Sequence, residues 1–315
     1  MVKIGSGAFV YDALATWEQL PAGMTLHETP GVAVDAEDRV YLLTRNTKNP
    51  LIVLDRDGRF LRTFGEGTFT ARTHAVTIAP DGSVFCVDDG AHTVTKWSPE
   101  GALLMTIGTP GQSSPRFSGL PFNRPTDVAI SRRDGSLYVS DGYGNARVHK
   151  YTPDGKLVCS WGEPGIDPGH FMVPHNIGID AQDRIYVADR EAHRVQVFDT
   201  DGKALAVWNN IHRPCALTVG PDGNVYVGEL NAVGLMEGAP NQGHRVSVLS
   251  PEGRLLARFG DAKEGEAPGH FIAPHGIAVD SHGDVYVGEV SFTIRGGRMD
   301  PPRELKSLKK LRRLA

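Results

Sequence analysis

Three histidines head three similar phrases: His74 in "THAVTIAPDG", His175 in "PHNIGIDAQD" and His275 in "PHGIAVDSHG". A neutral imidazole offers one nitrogen lone pair, so three imidazoles that converge make an open metal site with a fourth position left for water or substrate. Zinc is the expected metal, and Fe, Mn and Co also accept such ligands. His27, His92, His149, His170, His193, His244 and His282 read instead as polar residues of turns, and His212 precedes a similar phrase but lies three residues out of register.

What could bring the three together is a repeat. The phrases "GVAVDAEDRVYLL", "AVTIAPDGSVFCV", "DVAISRRDGSLYVS", "NIGIDAQDRIYVA", "ALTVGPDGNVYVG" and "GIAVDSHGDVYVG" each pair two apolar alternations across an Asp/Gly turn, which is a β-hairpin signal. Five are followed by a second hairpin phrase such as "LDRDGRFLRTFG" or "YTPDGKLVCSWG". Six four-stranded units, each with an aromatic in its second strand (Tyr41, Phe85, Tyr138, Tyr186, Tyr226, Tyr286), predict an all-β, six-bladed β-propeller. The expected domain is a single one over residues 1–315, with blades at about 28–66, 72–108, 122–164, 172–210, 213–262 and 272–315. The N-terminal "FVYDALATW" (9–17) is expected as the outermost strand of the last blade, closing the ring. The basic tail "ELKSLKKLRRLA" reads as a blade-six strand in preference to an amphipathic helix, and the Gly/Pro-rich stretch between Ser291 and Pro302 reads as loop.

Each blade's first strand lines the channel, so equivalent positions at its start form a ring: Pro30, His74, Thr126, His175, Cys215 and His275. Histidine takes alternate places on this ring. Cys215 reads as a small buried hydrophobe. Segments 109–121 and 230–243 are longer than hairpin turns and are candidate rim loops that shape a pocket for a small-molecule substrate.

The net charge of -4 and the scattered basic residues leave no nucleic-acid footprint, and no apolar run approaches a membrane span of about 20 residues, so neither nucleic acid nor membrane is an expected partner. Three widely spaced cysteines argue against a disulfide framework, and no apolar core follows Lys3, so the expected location is cytoplasmic.

The stretches "FNRPTDVAISRRDGSLYVSDGYGNARVHKYTPDGKLVCSWGE" and "GHFMVPHNIGIDAQDRIYVADREAHRVQVFDTDG" resemble the NHL-repeat propellers and, among them, the peptidyl-α-hydroxyglycine α-amidating lyases (peptidylamidoglycolate lyases). The resemblance implies a catalytic zinc on His74, His175 and His275. It also implies a catalytic base at Tyr143 of "SDGY", and arginines at Arg45 of "VYLLTR" and Arg190 of "ADRE" that stabilise a phenolate or bind a substrate carboxylate. The implied reaction is zinc-dependent cleavage of the C–N bond of an α-hydroxy-N-acylglycine, or a similar small carbinolamide, to an amide and glyoxylate or another aldehyde. A metal-dependent hydrolase of a lactone, ester or amide, and a non-enzymatic NHL binding scaffold, are the alternatives. Two departures stand out. Gly276 replaces an aspartate that helps bind a structural calcium in the family, which argues against that calcium here, and Gly144 replaces a disulfide cysteine.

Overall fold

The computed structural model describes residues 1–233, 236–239 and 242–314. In chain order its strands are β1 (Lys3–Ser6), β2 (Phe9–Ala13), β3 (Gly31–Val34), β4 (Val40–Leu43), β5 (Leu51–Leu54), β6 (Phe60–Phe64), β7 (Thr73–Ile78), β8 (Val84–Asp88), β9 (Thr93–Trp97), β10 (Leu103–Ile107), β11 (Asp127–Ile130), β12 (Leu137–Asp141), β13 (Arg147–Tyr151) and β14 (Leu157–Trp161). They continue with β15 (Pro174–Ile179), β16 (Ile185–Asp189), β17 (Arg194–Phe198), β18 (Ala204–Trp208), β19 (Pro214–Val219), β20 (Val225–Glu229), β21 (Arg245–Leu249), β22 (Leu255–Phe259), β23 (Pro274–Val279), β24 (Val285–Glu289) and β25 (Leu308–Arg313). These strands make six sheets, the blades of a six-bladed β-propeller: β3 to β6, β7 to β10, β11 to β14, β15 to β18, β19 to β22, and a last sheet ordered β1-β2-β25-β24-β23.

The chain divides into two compact units, one of residues 1–67 with 218–315 and one of residues 68–217. The second holds the sheets β7 to β10, β11 to β14 and β15 to β18. Its core joins Phe85, Val94, Phe122, Val128, Leu137 and Tyr151 in one cluster and Tyr138, Phe171, Ile177, Ile185 and Phe198 in another. The first unit has its own core around Trp17, Val32, Leu42, Ile52, Tyr286 and Leu308.

Why these segments fold as hairpins is visible at the first turns of three blades. The Asp35, Asp180 and Asp280 carboxylates each accept the backbone N–H groups two and four residues on, an arrangement that mimics a backbone turn. The left-handed position that follows is filled by Asp38, Asp183 or Gly283. The second strand of every blade is buried along its whole length, which explains its continuous apolar run. The six expected aromatics lie there, at most 2% exposed, and Tyr186, Tyr226 and Tyr286 donate their hydroxyls to Asp180, Asp222 and Asp280 of the preceding turns.

The N-terminus enters the last blade, as the sequence leads one to expect, with one correction. Phe9–Ala13 is the fourth strand, paired with β25, and the outermost place goes to β1. Trp17 has left the sheet by then. Its indole donates to the Arg56 carbonyl and its ring packs against Tyr286. The basic tail is a strand, β25, as expected. The stretch after Ser291 is not all loop: Ser291–Ile294 forms one helical turn, α1, because buried Glu28 accepts both the N–H and the hydroxyl of Thr293. No helix among the described residues is long and apolar enough to cross a membrane.

Candidate functional site

His74, His175 and His275 are each the second residue of the first strand of a blade, and each lies at an irregularity of its ladder. Pairing shifts between Thr73 and Ala75, between Pro174 and Ile177, and between Pro274 and Gly276. Such bulges re-aim one side chain without ending the strand. The segment that leads into each histidine is tied down by a carboxylate at the end of the neighbouring second strand. Asp88 accepts from Thr70 N–H, Asp189 from Met172 and Val173 N–H, and Glu289 from Ile272 and Ala273 N–H. Asp141 does the same for Asn123 ahead of ring residue Thr126. These carboxylates were not singled out from the sequence, although "VDDG", "VSDG", "VADR" and "VGEV" mark them by recurring after the second alternation.

Ring-nitrogen roles follow from the partners. His175 Nδ1 lies 2.8 Å from the Cys215 carbonyl oxygen, and His275 Nδ1 lies 2.8 Å from that of Pro30. A carbonyl only accepts, so in both neutral rings Nδ1 carries the hydrogen and Nε2 keeps its lone pair. Cys215 and Pro30 are the next members of the ring read from the sequence, so two histidines are oriented by the same device. All three histidines are buried and each can give one nitrogen to a metal. A set of three imidazoles, two of them with the outer nitrogen fixed by a backbone carbonyl, fits zinc or a similar divalent ion.

Within the unit 68–217 the structure brings together His74, His175, Tyr143 and Arg190. The Tyr143 hydroxyl lies 3.0 Å from His74 Nε2 and 2.9 Å from His175 Nε2, and Arg190 Nη1 donates to it at 3.4 Å. Tyr143 sits in the turn after β12, where its glycine neighbours permit close approach. A Cβ on Gly142 would stand 1.9 Å from the Pro174 carbonyl oxygen, and one on Gly144 would stand 2.0 Å from Asn123 Oδ1. The turn thus lies directly on the strand that carries His175. Candidate rim segment 109–121 is docked on the same turn through Phe117 N–H to the Gly144 carbonyl and Gly119 N–H to Asn145 Oδ1. Of the other candidate rim segment, 230–243, positions 234, 235, 240 and 241 lie outside the described residues.

Burial pushes the Tyr143 phenol above its ordinary value, opposed by the Arg190 guanidinium. Burial also pushes the Cys215 thiol up to about 11. Its Sγ is 3.6 Å from His175 Nδ1, and at neutral pH it is an uncharged neighbour of the imidazole, in keeping with the small buried residue expected. Burial disfavours the Arg190 charge, yet Tyr143, Cys215 and Glu191 more than offset this, and its pKa is raised.

Arg45 and His275 belong to the unit of residues 1–67 with 218–315. There Arg45 Nη1 donates to Glu28 Oε1 at 2.5 Å and to Thr293 Oγ1 at 2.8 Å. Gly276 lies so near the strand of Pro30 that a Cβ would meet the Pro30 carbonyl oxygen at 2.8 Å and the Gly31 Cα at 2.9 Å, a close strand packing that glycine fits. One histidine needs correcting. His149 is not in a turn but in the middle of β13, fully buried, with Asp141 on Nε2 and Ser160 on Nδ1. Sequence reasoning also missed Arg124, which lies against the Tyr143 ring and is linked through Asp89 to Arg72, and the Glu191–Arg213 pair beside Arg190.

These features define an NHL-type propeller that sets a buried tyrosine hydroxyl against two ring histidines and an arginine. The NHL repeat model matches residues 122–151 and 171–198. Human NHL repeat-containing protein 3 is 34% identical over 281 residues, covering 82% of this chain and 76% of that protein. The chain belongs to this NHL-repeat family. Peptidyl-alpha-hydroxyglycine alpha-amidating lyase 1 of Drosophila melanogaster is 28% identical over 236 residues, covering 69% of this chain and 42% of that one. Among solved structures, a streptogramin B lyase superposes with a TM-score of 0.63 over 97% of this chain and 99% of that one at 15% identity, which shows a common fold.

Proposed function

We propose that the chain is a metal-dependent lyase that splits an α-hydroxy-N-acylglycine, or a closely similar small carbinolamide, into an amide and glyoxylate. The observation that carries this reading is the Tyr143 hydroxyl held between His74 Nε2 and His175 Nε2. His275 is the third ligand in this proposal. Its support is the shared strand position, the shared bulge and the same carbonyl-bound Nδ1. The lyase relative supports the reaction class.

Bound to the three Nε2 atoms, zinc or a similar ion would supply Lewis acidity, lowering the pKa of a substrate hydroxyl and of the nearby phenol. The chain's own groups do the rest. Tyr143 Oη, as phenolate, takes the proton of the carbinol oxygen. The electron pair forms the carbonyl of glyoxylate as the C–N bond breaks, and the proton returns from Tyr143 to the departing amide nitrogen. Arg190 holds the phenolate against the burial that favours the neutral phenol. Catalysis of this kind needs no water.

The test is to purify the protein, measure metal per chain, and assay glyoxylate released from α-hydroxyhippurate with and without a chelator. The expected result is about one metal per chain, absent from His175→Ala, and turnover that chelation stops and zinc restores. Metal-free protein that still turns over, or metal-loaded protein that yields no glyoxylate, would overturn the proposal.

A further inference from the structure

Two arginines lie over the Tyr143 ring, and they are not in the same state. Arg190 is largely committed: its Nε donates to Glu191 at 2.7 Å and its Nη1 to the Tyr143 hydroxyl, while Arg213 shares the same Glu191 carboxylate. Arg124 is not. Its guanidinium carbon lies 4.7 Å from the Tyr143 ring centroid, closer than the 5.4 Å of Arg190, and its only side-chain hydrogen bond among the described residues runs from Nε to Asp89 Oδ1 at 3.3 Å.

Asp89 is itself nearly saturated. It is fully buried, and Arg72 grips both its oxygens, from Nε at 2.7 Å and Nη2 at 2.9 Å. Two guanidinium groups on one carboxylate leave a net positive charge, and Arg124 is the more weakly held of the two. Both Nη groups of Arg124 therefore remain as a forked donor pair, on a side chain 39% exposed.

The backbone shows that this placement is imposed. Arg124 has φ +63°, a region a branched-chain or long L-residue seldom enters. It is held there from both ends: its N–H donates to His92 Nδ1 at 3.0 Å, and its carbonyl accepts the Tyr143 N–H at 3.4 Å. The arginine and the tyrosine are thus joined through the main chain as well as through the ring contact.

We propose that Arg124, carried with Arg72 on Asp89, is the anion receptor of the Tyr143 site, and that it binds the substrate's carboxylate. This rests on the lyase reading for the identity of the substrate. The anion subsite itself follows from the arginine geometry alone. Arg124 acts here as a specificity-determining residue: the bond-breaking step uses Tyr143, and Arg124 selects molecules that carry a carboxylate at the reacting end.

The experiment uses two unreactive probes, hippurate and its neutral counterpart hippuramide, titrated calorimetrically into the metal-loaded full chain. The parent is expected to favour hippurate, and Arg124→Gln to lose at least about tenfold of that preference, the loss of one charge-assisted hydrogen bond. Arg124→Lys should recover part of it, which a merely misfolded variant cannot explain. Arg72→Gln should weaken hippurate as well, by releasing Asp89 to pair fully with Arg124. Equal affinity of the parent for both probes, no binding of either, or an unchanged preference in Arg124→Gln overturns the receptor. Selective binding of hippurate that depends on Arg124, in a protein that never releases glyoxylate, upholds the receptor and removes only the lyase reading.

Discussion

A phenol oxygen within hydrogen-bond distance of two imidazole nitrogens has one proton for two partners. Because the Cys215 carbonyl fixes the His175 hydrogen on Nδ1, Tyr143 donates to His175 Nε2 in the metal-free chain. The same lone pair is the one that would be offered to a metal in the proposed site. Tyr143→Phe removes the proposed base and keeps the three histidines. The expected outcome is a fall in kcat of about a hundredfold or more with unchanged metal content, measured by glyoxylate release and elemental analysis. Full turnover in this variant would instead indicate a hydrolytic, tyrosine-independent reaction. The equivalent strand positions of the three histidines were legible in the sequence through register, and Tyr143 and Arg190 were singled out there through a family resemblance. Arg124 was not, because "NRP" reads as an ordinary turn until the structure shows its left-handed backbone and its place over the Tyr143 ring.

The elements that aim these side chains are short bulged strands anchored by buried carboxylates. One further carboxylate, Asp127 at the start of β11, accepts from Val128 N–H, Ile177 N–H and Asn176 Nδ2, and so fixes the residue beside His175. Burial pushes its pKa up to about 7, the three hydrogen bonds opposing. An unfolded aspartate titrates near 4, so between about pH 4 and pH 7 the native chain holds the extra proton. The stability this group contributes is therefore fully present below pH 4 and is lost as the pH rises through 7, with a slope of up to about 1.4 kcal/mol per pH unit. In urea titrations from pH 5 to pH 8, the parent should lose stability relative to Asp127→Asn up to pH 7 and run parallel to it above. A gap between the two that never changes with pH would refute this. The sequence marks β11 as a strand without revealing this role, since Asp127 meets Asn176 and Ile177 only across 49 and 50 residues of chain.

At the scale of the molecule, the last blade is completed from both ends of the chain. In β2, Tyr11 is wholly buried, packs 5.1 Å from the Phe259 ring, and accepts a hydrogen bond from Arg313 Nη1 of β25. Tyr11→Ala should cost about 3–5 kcal/mol, the range for truncating a buried aromatic, and lower the urea midpoint accordingly. An unchanged midpoint would mean that the closing strand adds little to stability.

The sequence by itself determined the blades, because an alternation of period two and an Asp/Gly turn act within about a dozen residues and recur six times. It also placed His74, His175 and His275 at equivalent strand starts, since register is a local property. Only the tertiary structure decided which lone pair the His175 and His275 rings present, because His175 takes its Nδ1 partner 40 residues away and His275 takes its own 245 residues away. For the same reason it alone showed that His149 is a buried strand residue, that the chain's first residues lie outside Phe9–Ala13 in the last blade, and that Arg124 faces Tyr143. Side-chain charge and hydrogen-bond sharing depend on neighbours that folding brings together, and the local pattern holds no record of them.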